Sequence, residues 1–168
     1  PVPHDDVVAG TQWAMQRARD LGADRVVIGG ASAGANLAAG ACVRLRDEGN
    51  VPSGLLLLYP VVHAELPPAS AELQEKVAGL PPMAAFAEPI FTTVPENFLG
   101  APAREADAYA MAGLADLAGM PPTLIINCEY DALRASGEEF ARALAAAGVD
   151  VKELLAADAA EVKIATPG

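Results

Sequence analysis

Three short apolar runs, each closed by a glycine, a proline or a polar turn, set the pattern of the chain. They are Arg25-Val26-Val27-Ile28-Gly29, Gly54-Leu55-Leu56-Leu57-Leu58-Tyr59-Pro60 and Thr123-Leu124-Ile125-Ile126-Asn127-Cys128. Each is too short for a core helix and almost continuous in hydrophobicity, as strands of a parallel sheet are. Between them the period changes. Val7, Val8, Ala14, Met15, Ala18 and Leu21 recur at helical spacing, with Trp13 extending the buried stripe, Asp5 and Asp6 at the expected N-terminus and Gly22 as the stop. Helix formers run over residues 33–46 and again over 106–118. Ser136-Gly137-Glu138-Glu139 opens a further helix that reaches about residue 147 before Gly148. A fourth strand falls at 149–155 or at 161–165, and the pattern does not choose between them.

Alternating strands and helices predict an α/β fold, with a parallel sheet joined by right-handed crossovers. Ligands bind such sheets at the carboxyl ends of the strands. Ser32 follows the first strand and Asp131 the third, so both are expected on that edge. Residues 63–102 are rich in Pro and Ala, with helical patches near 71–77 and 96–99. The stretch is too long for a plain loop and reads as a cap-like excursion across the mouth of the sheet. Residues 1–168 together read as one domain. A start of Pro1-Val2-Pro3, without Met, reads as a cut inside a longer protein or a processed N-terminus.

Composition narrows the function. The formal net charge of −11 disfavours nucleic acid and anionic membrane surfaces alike. No apolar run approaches the roughly 18 residues a spanning helix needs, and no signal peptide is visible. Cys42 and Cys128 lie far apart in apolar stretches, with no metal-ligand spacing. They read as buried thiols of a reducing, cytoplasmic setting, with no metal site.

The chemistry concentrates in Gly30-Ala31-Ser32-Ala33-Gly34. A serine hydroxyl needs an adjacent base and must project from the backbone toward substrate. The sharp strand-to-helix turn of G-x-S-x-G meets the second need by holding the serine in a strained conformation. Gly30 and Gly34 are expected to lack Cβ atoms that would collide as the helix folds back on the strand. The Ala33 N–H, at the helix N-terminus, is placed to hold the oxyanion of a tetrahedral intermediate. With four serines and 15 glycines, about 0.03 such motifs are expected by composition, so an apolar strand before it and a helix after it give the match its weight. A dinucleotide fingerprint does not fit glycines at 29, 30 and 34, and Ala35 stands where a P-loop needs Lys.

Glu129-Tyr130-Asp131-Ala132-Leu133-Arg134 is the second element. A carboxylate just past a strand end can orient a histidine and stabilise its imidazolium; alone, it is more often a helix cap. The order Ser then Asp suits a hydrolase arrangement, with Glu129 as the weaker acid. The sequence holds two histidines. His63 follows the second strand and is a candidate substitute base; its alternative is a solvated or cap-contacting residue. His4 adjoins a helix start, expected at the opposite end of the sheet.

The stretch Ile28-Gly29-Gly30-Ala31-Ser32-Ala33-Gly34-Ala35-Asn36-Leu37-Ala38 resembles the serine block of the hormone-sensitive-lipase-like α/β-hydrolases. Pro121 to Ile126, continuing through Glu129 to Arg134, resembles their acid block, and Asp5-Asp6 with Trp13 the helix before the serine strand. The resemblance implies a three-layer α/β/α sandwich, truncated at both ends, and cofactor-free hydrolysis of short to medium acyl esters. It implies Ser32 as nucleophile, Asp131 as acid and the Ala33 amide in the oxyanion hole. Three departures stand out. Ala31 replaces the family's Asp, no His-Gly-Gly precedes the serine block, and no histidine follows His63. Residues 165–168 resemble the stretch just before the family's histidine, which is therefore expected beyond Gly168. The segment alone is expected to be inactive. A non-catalytic binding module is the alternative, and thioester or amide cleavage stays open on the same residues.

Overall fold

A computed structural model of the protein describes residues 2–80 and 90–158. It contains helix α1 (Val2–Arg17), strand β1 (Val27–Ala31), α2 (Ala33–Asp47), β2 (Gly54–Leu58), α3 (Ala71–Ala78), α4 (Ile90–Leu99), β3 (Thr123–Cys128), α5 (Arg134–Ala146) and β4 (Val151–Ala156). The four strands form one parallel sheet in the order β1-β2-β3-β4. The fourth strand thus falls at the earlier of the two expected positions; the alternative at 161–165 lies outside the described residues.

Alternation along the strands decides what is buried. Ile28, Leu55, Leu57 and Ile125 join Ala35, Ala38, Val43 and Leu45 of α2 and Phe140 and Leu144 of α5 in a single core. Both crossover helices therefore cover the same face, as right-handed crossovers between successive neighbouring strands require. The intervening residues Leu56, Leu58, Leu124 and Ile126 are half-buried, and Val27 is 60% exposed. Among the described residues, α2 and α5 make the most contact with the sheet, and both lie on the core face. The outer strands also carry exposed apolar side chains, with Leu154 and Leu155 on β4.

Three expectations are corrected. Trp13 is 58% exposed; His4, Val8 and Thr11 are the buried positions of α1, shifting its inner face by part of a turn. Residues 106–118 form no α-helix. They hold a short 3₁₀ turn at Ala112–Leu114, because the Asp107 carboxylate takes the N–H groups of Tyr109 (3.0 Å) and Ala110 (2.8 Å), and Gly113 donates to the Val62 carbonyl (2.9 Å). A local acceptor competes with the helix for its amides there. His4 is not at the far end of the sheet. The α1 helix runs back along β1, and Pro3 lines the same cavity as Ser32. The His4 ring is buried against Tyr109, with ring centroids 6.2 Å apart.

Candidate active site

The elbow begins with the ladder. Ser32 N–H donates to the Leu58 carbonyl at 3.0 Å, continuing the β1–β2 pairing one residue past the strand. The chain then turns into α2, and Ser32 takes φ +52° and ψ −119°. A non-glycine residue pays for that conformation in strain and holds it only where its surroundings enforce it. Gly30 is what permits the turn. A Cβ there would lie 2.3 Å from the carbonyl carbon and oxygen of Gly34. Gly34 corrects the expectation of a symmetric requirement, since a Cβ on it would meet nothing within 4 Å. Among the described residues, no side chain is hydrogen-bonded to the Ser32 hydroxyl.

Ser32, Ala33 and Asn36 open onto a cavity of about 300 Å³ whose other walls are almost entirely apolar, among them Leu37, Met111 and Leu133. Ala64, Leu66, Val94, Pro95 and Phe98 also line it. The Ala33 N–H belongs to the first turn of α2, where backbone donors have no partner within the helix and the helix dipole favours negative charge.

His63 lines the same cavity. It is half-buried. Its Nδ1 lies 2.9 Å from the Ser136 hydroxyl oxygen, which also accepts the Val62 N–H at 3.0 Å. The ring edge rests on Gly113, where a Cβ would come within 2.4 Å of Cδ2 and Nε2. Burial pushes the ring's pKa below its ordinary value, partly offset by Glu139. The imidazole is thus favoured in its neutral form, with Nδ1 already engaged. Ser136 itself is fully buried and lines no part of the cavity.

Asp131 sits at the carboxyl end of β3, 1% exposed. Its Oδ1 accepts the Leu133 N–H at 2.8 Å and its carbonyl accepts the Arg134 N–H at 3.1 Å, so the residue closes the turn into α5. It does not line the cavity, whereas Leu133 does. Glu129 is turned elsewhere. It pairs with Lys76 and accepts the Asp158 N–H at 2.7 Å, and both contacts hold its carboxyl below the usual range. The three sequence-chosen positions thus follow three successive strands to one sheet edge: Ser32 after β1, His63 after β2, Asp131 after β3.

Asn36, Gly113 and Ser136 were not legible as site residues. Asn36 is buried on α2, donates to the Ala110 carbonyl at 3.1 Å and, among the described residues, leaves its Oδ1 without a partner. All three act through contacts with segments far away in the chain, and no local spacing announces those. Among the described residues, no group of His, Cys, Asp and Glu is arranged to hold a metal ion, and no helix is long and apolar enough to cross a membrane. Cys42 and Cys128 are buried and not joined in a disulfide, and burial raises the Cys42 thiol to about 12.

A parallel sheet with a strained serine between its first strand and the following helix defines the α/β-hydrolase class. The chain belongs to that family: a family model described as alpha/beta hydrolase fold matches residues 1–159. Among curated proteins it is similar to carboxylesterase NlhH of Mycobacterium tuberculosis, 34% identical over 165 residues, covering 90% of this chain and 48% of the relative. Esterase LipI of the same organism is 32% identical over 157 residues, with 90% and 47% covered. Among solved structures, carboxyl esterase 2 of the fungus Tuber melanosporum superposes with a TM-score of 0.77 at 28% identity, over 92% of this chain and 52% of that one. The thermostable carboxylesterase EstE1, cloned from a metagenomic library, gives 0.74 at 32% identity over 94% and 53%. The chain spans about half the length of the curated relatives it matches.

Proposed function

We propose that the protein is a serine carboxylic-ester hydrolase that acts on short to medium acyl esters through an acyl-enzyme on Ser32. The observation that carries this reading is the positive-φ serine at the head of α2, opening onto an apolar cavity. In the reaction a base takes the Ser32 hydroxyl proton while Oγ bonds to the ester carbonyl carbon. The Ala33 amide holds the oxyanion. As the tetrahedral intermediate collapses, the ester C–O bond breaks and the alcohol leaves with that proton. Water then repeats the sequence on the acyl-enzyme, releasing the acid and restoring the serine. Asp131 would orient the base.

The base in this reading is a histidine that follows the acid in chain order, as the family resemblance implies. His63 keeps the role of cavity wall, since its Nδ1 is held by Ser136. Ala64, Leu66, Val94, Pro95 and Phe98, which line the cavity, would cover the acyl group. The buried thiols Cys42 and Cys128 fit a reducing, cytoplasmic setting.

The test is hydrolysis of p-nitrophenyl butyrate by the full-length protein and its Ser32→Ala variant, with fluorophosphonate labelling followed by peptide mapping. Turnover and a label on Ser32, both absent in the variant, are expected. Equal turnover by the two proteins removes Ser32 from the chemistry. An unlabelled, inactive wild type favours a non-catalytic binding module.

A further inference from the structure

The turn that carries Asp131 is gripped from outside by a network of charges, and the grip comes from the excursion. Glu72 and Lys76 are one helical turn apart on α3, with Lys76 Nζ 2.6 Å from Glu72 Oε1. Lys76 also pairs with Glu129, two residues before Asp131, and stands 5.6 Å over the ring of Tyr130, the residue between them. On the other side of the turn Arg134 reaches Glu72 at 2.9 Å and 3.4 Å, Glu138 at 2.7 Å and the Glu129 carbonyl at 3.3 Å. Glu129 completes the grip by accepting the Asp158 N–H just beyond β4.

Geometry separates this network from ordinary surface ion pairs. Its side chains are drawn from α3, the β3–α5 turn, α5 itself and the end of β4, and each cation bridges at least two carboxylates. The Arg134 side chain is only 9% exposed and that of Glu129 17%. Exposed single pairs contribute little, whereas networks of partly buried pairs with fork geometry hold a structure in place. The α3 helix is itself anchored. Leu73 is fully buried, and the Ser70 hydroxyl accepts the Leu73 N–H at 3.1 Å.

We infer that Lys76 and Glu72 are positioning residues for Asp131, with α3 acting as a strut that fixes the acid turn through Glu129 and Arg134. The inference rests on the esterase reading only for its consequence in catalysis. Lys76 does not line the cavity. Its effect passes through the backbone on either side of Asp131. Freed from α3, the turn samples other conformations, and the Asp131 carboxylate loses its fixed direction. A carboxylate misdirected by an ångström lowers turnover without weakening substrate binding.

The Leu133 amide reports the placement directly, because it donates to Asp131 Oδ1. The experiment uses the full-length protein with Lys76→Met, Glu72→Gln and Lys76→Arg. Site-resolved amide exchange at Leu133 is measured alongside kcat and KM for p-nitrophenyl butyrate. In Lys76→Met and Glu72→Gln, exchange at Leu133 is expected to accelerate at least tenfold while amides of α2 keep their protection. The kcat falls about tenfold with KM within twofold, and Lys76→Arg restores both. Wild-type protection of Leu133 in Lys76→Met and Glu72→Gln overturns the inference, whatever the rates do. A wild type with no turnover and no label on Ser32 overturns the esterase reading instead, and the exchange readout still decides the role of α3.

Discussion

A Cβ placed on Gly30 would stand 2.3 Å from the carbonyl of Gly34, yet a Cβ placed on Gly34 would touch nothing. The two glycines of the elbow are therefore not equivalent. One permits the backbone of α2 to pass over β1, and the other sits in the open first turn. Gly30→Ala is expected to destabilise the protein by about 2–4 kcal/mol, since only the backbone can give way. Gly34→Ala is expected to be neutral or stabilising by up to about 1 kcal/mol, from helix propensity. Urea unfolding of the two variants checks the difference, and equal losses would contradict the geometry.

The strain at Ser32 yields a second prediction. Glycine adopts φ +52° without the cost of a side chain. Ser32→Gly should raise stability by about 1 kcal/mol while abolishing ester hydrolysis, a trade of stability against activity at one residue. Thermal unfolding and turnover are read on the same sample. A less stable variant would mean that the serine side chain has a structural role.

His63 and Ser136 supply the third. Ser136→Ala leaves the buried Val62 amide and the His63 Nδ1 without their partner, at a cost of about 1–3 kcal/mol. Gly113→Ala should perturb the same ring from its other edge, where the added methyl would lie 2.4 Å from Nε2. If His63 is cavity wall and not base, His63→Gln keeps kcat within about tenfold of wild type, far from the roughly 10⁶-fold loss expected on removing a catalytic histidine.

The same ring gives the protein a pH dependence. Its folded pKa lies below the ordinary 6.5, so the unfolded chain takes up a proton first on acidification. Stability from this group is complete above pH 6.5. It declines between there and the folded pKa, and is constant again below it. Glu72 and Glu129, both held below 4.5 by Lys76, lose their contribution in a separate window, as pH falls below 4.5 toward their folded values. Unfolding free energy measured from pH 8 to 3 should show two declines, and His63→Gln should remove the upper one alone.

Much of the fold is written in local pattern. The three apolar runs became β1, β2 and β3, since continuous apolar stretches too short for a core helix and bounded by breakers suit strands buried on both faces. The Asp131 turn is encoded just as locally, in a carboxylate that accepts an amide two residues on. Where a helix and a turn compete for the same amides, local pattern fails. Residues 106–118 have the propensity of a helix, and the Asp107 side chain with the Val62 carbonyl decides against it. Trp13 shows the complement, being placed on the helical stripe by spacing and left outside by the packing of α1 on α2.

By itself the sequence determined the first three strands, the strained elbow with its serine, and the order in which Ser32 and Asp131 reach one edge of a parallel sheet. These follow from hydrophobic period, glycine placement and the handedness of crossovers, all of which act over a few neighbouring residues. Only the tertiary structure decided that Gly30 is indispensable and Gly34 is not, that His63 is held by Ser136, and that α3 reaches across to grip the turn of Asp131. Each of these is a contact between segments distant in the chain, and such contacts exist only once the core has fixed where those segments lie.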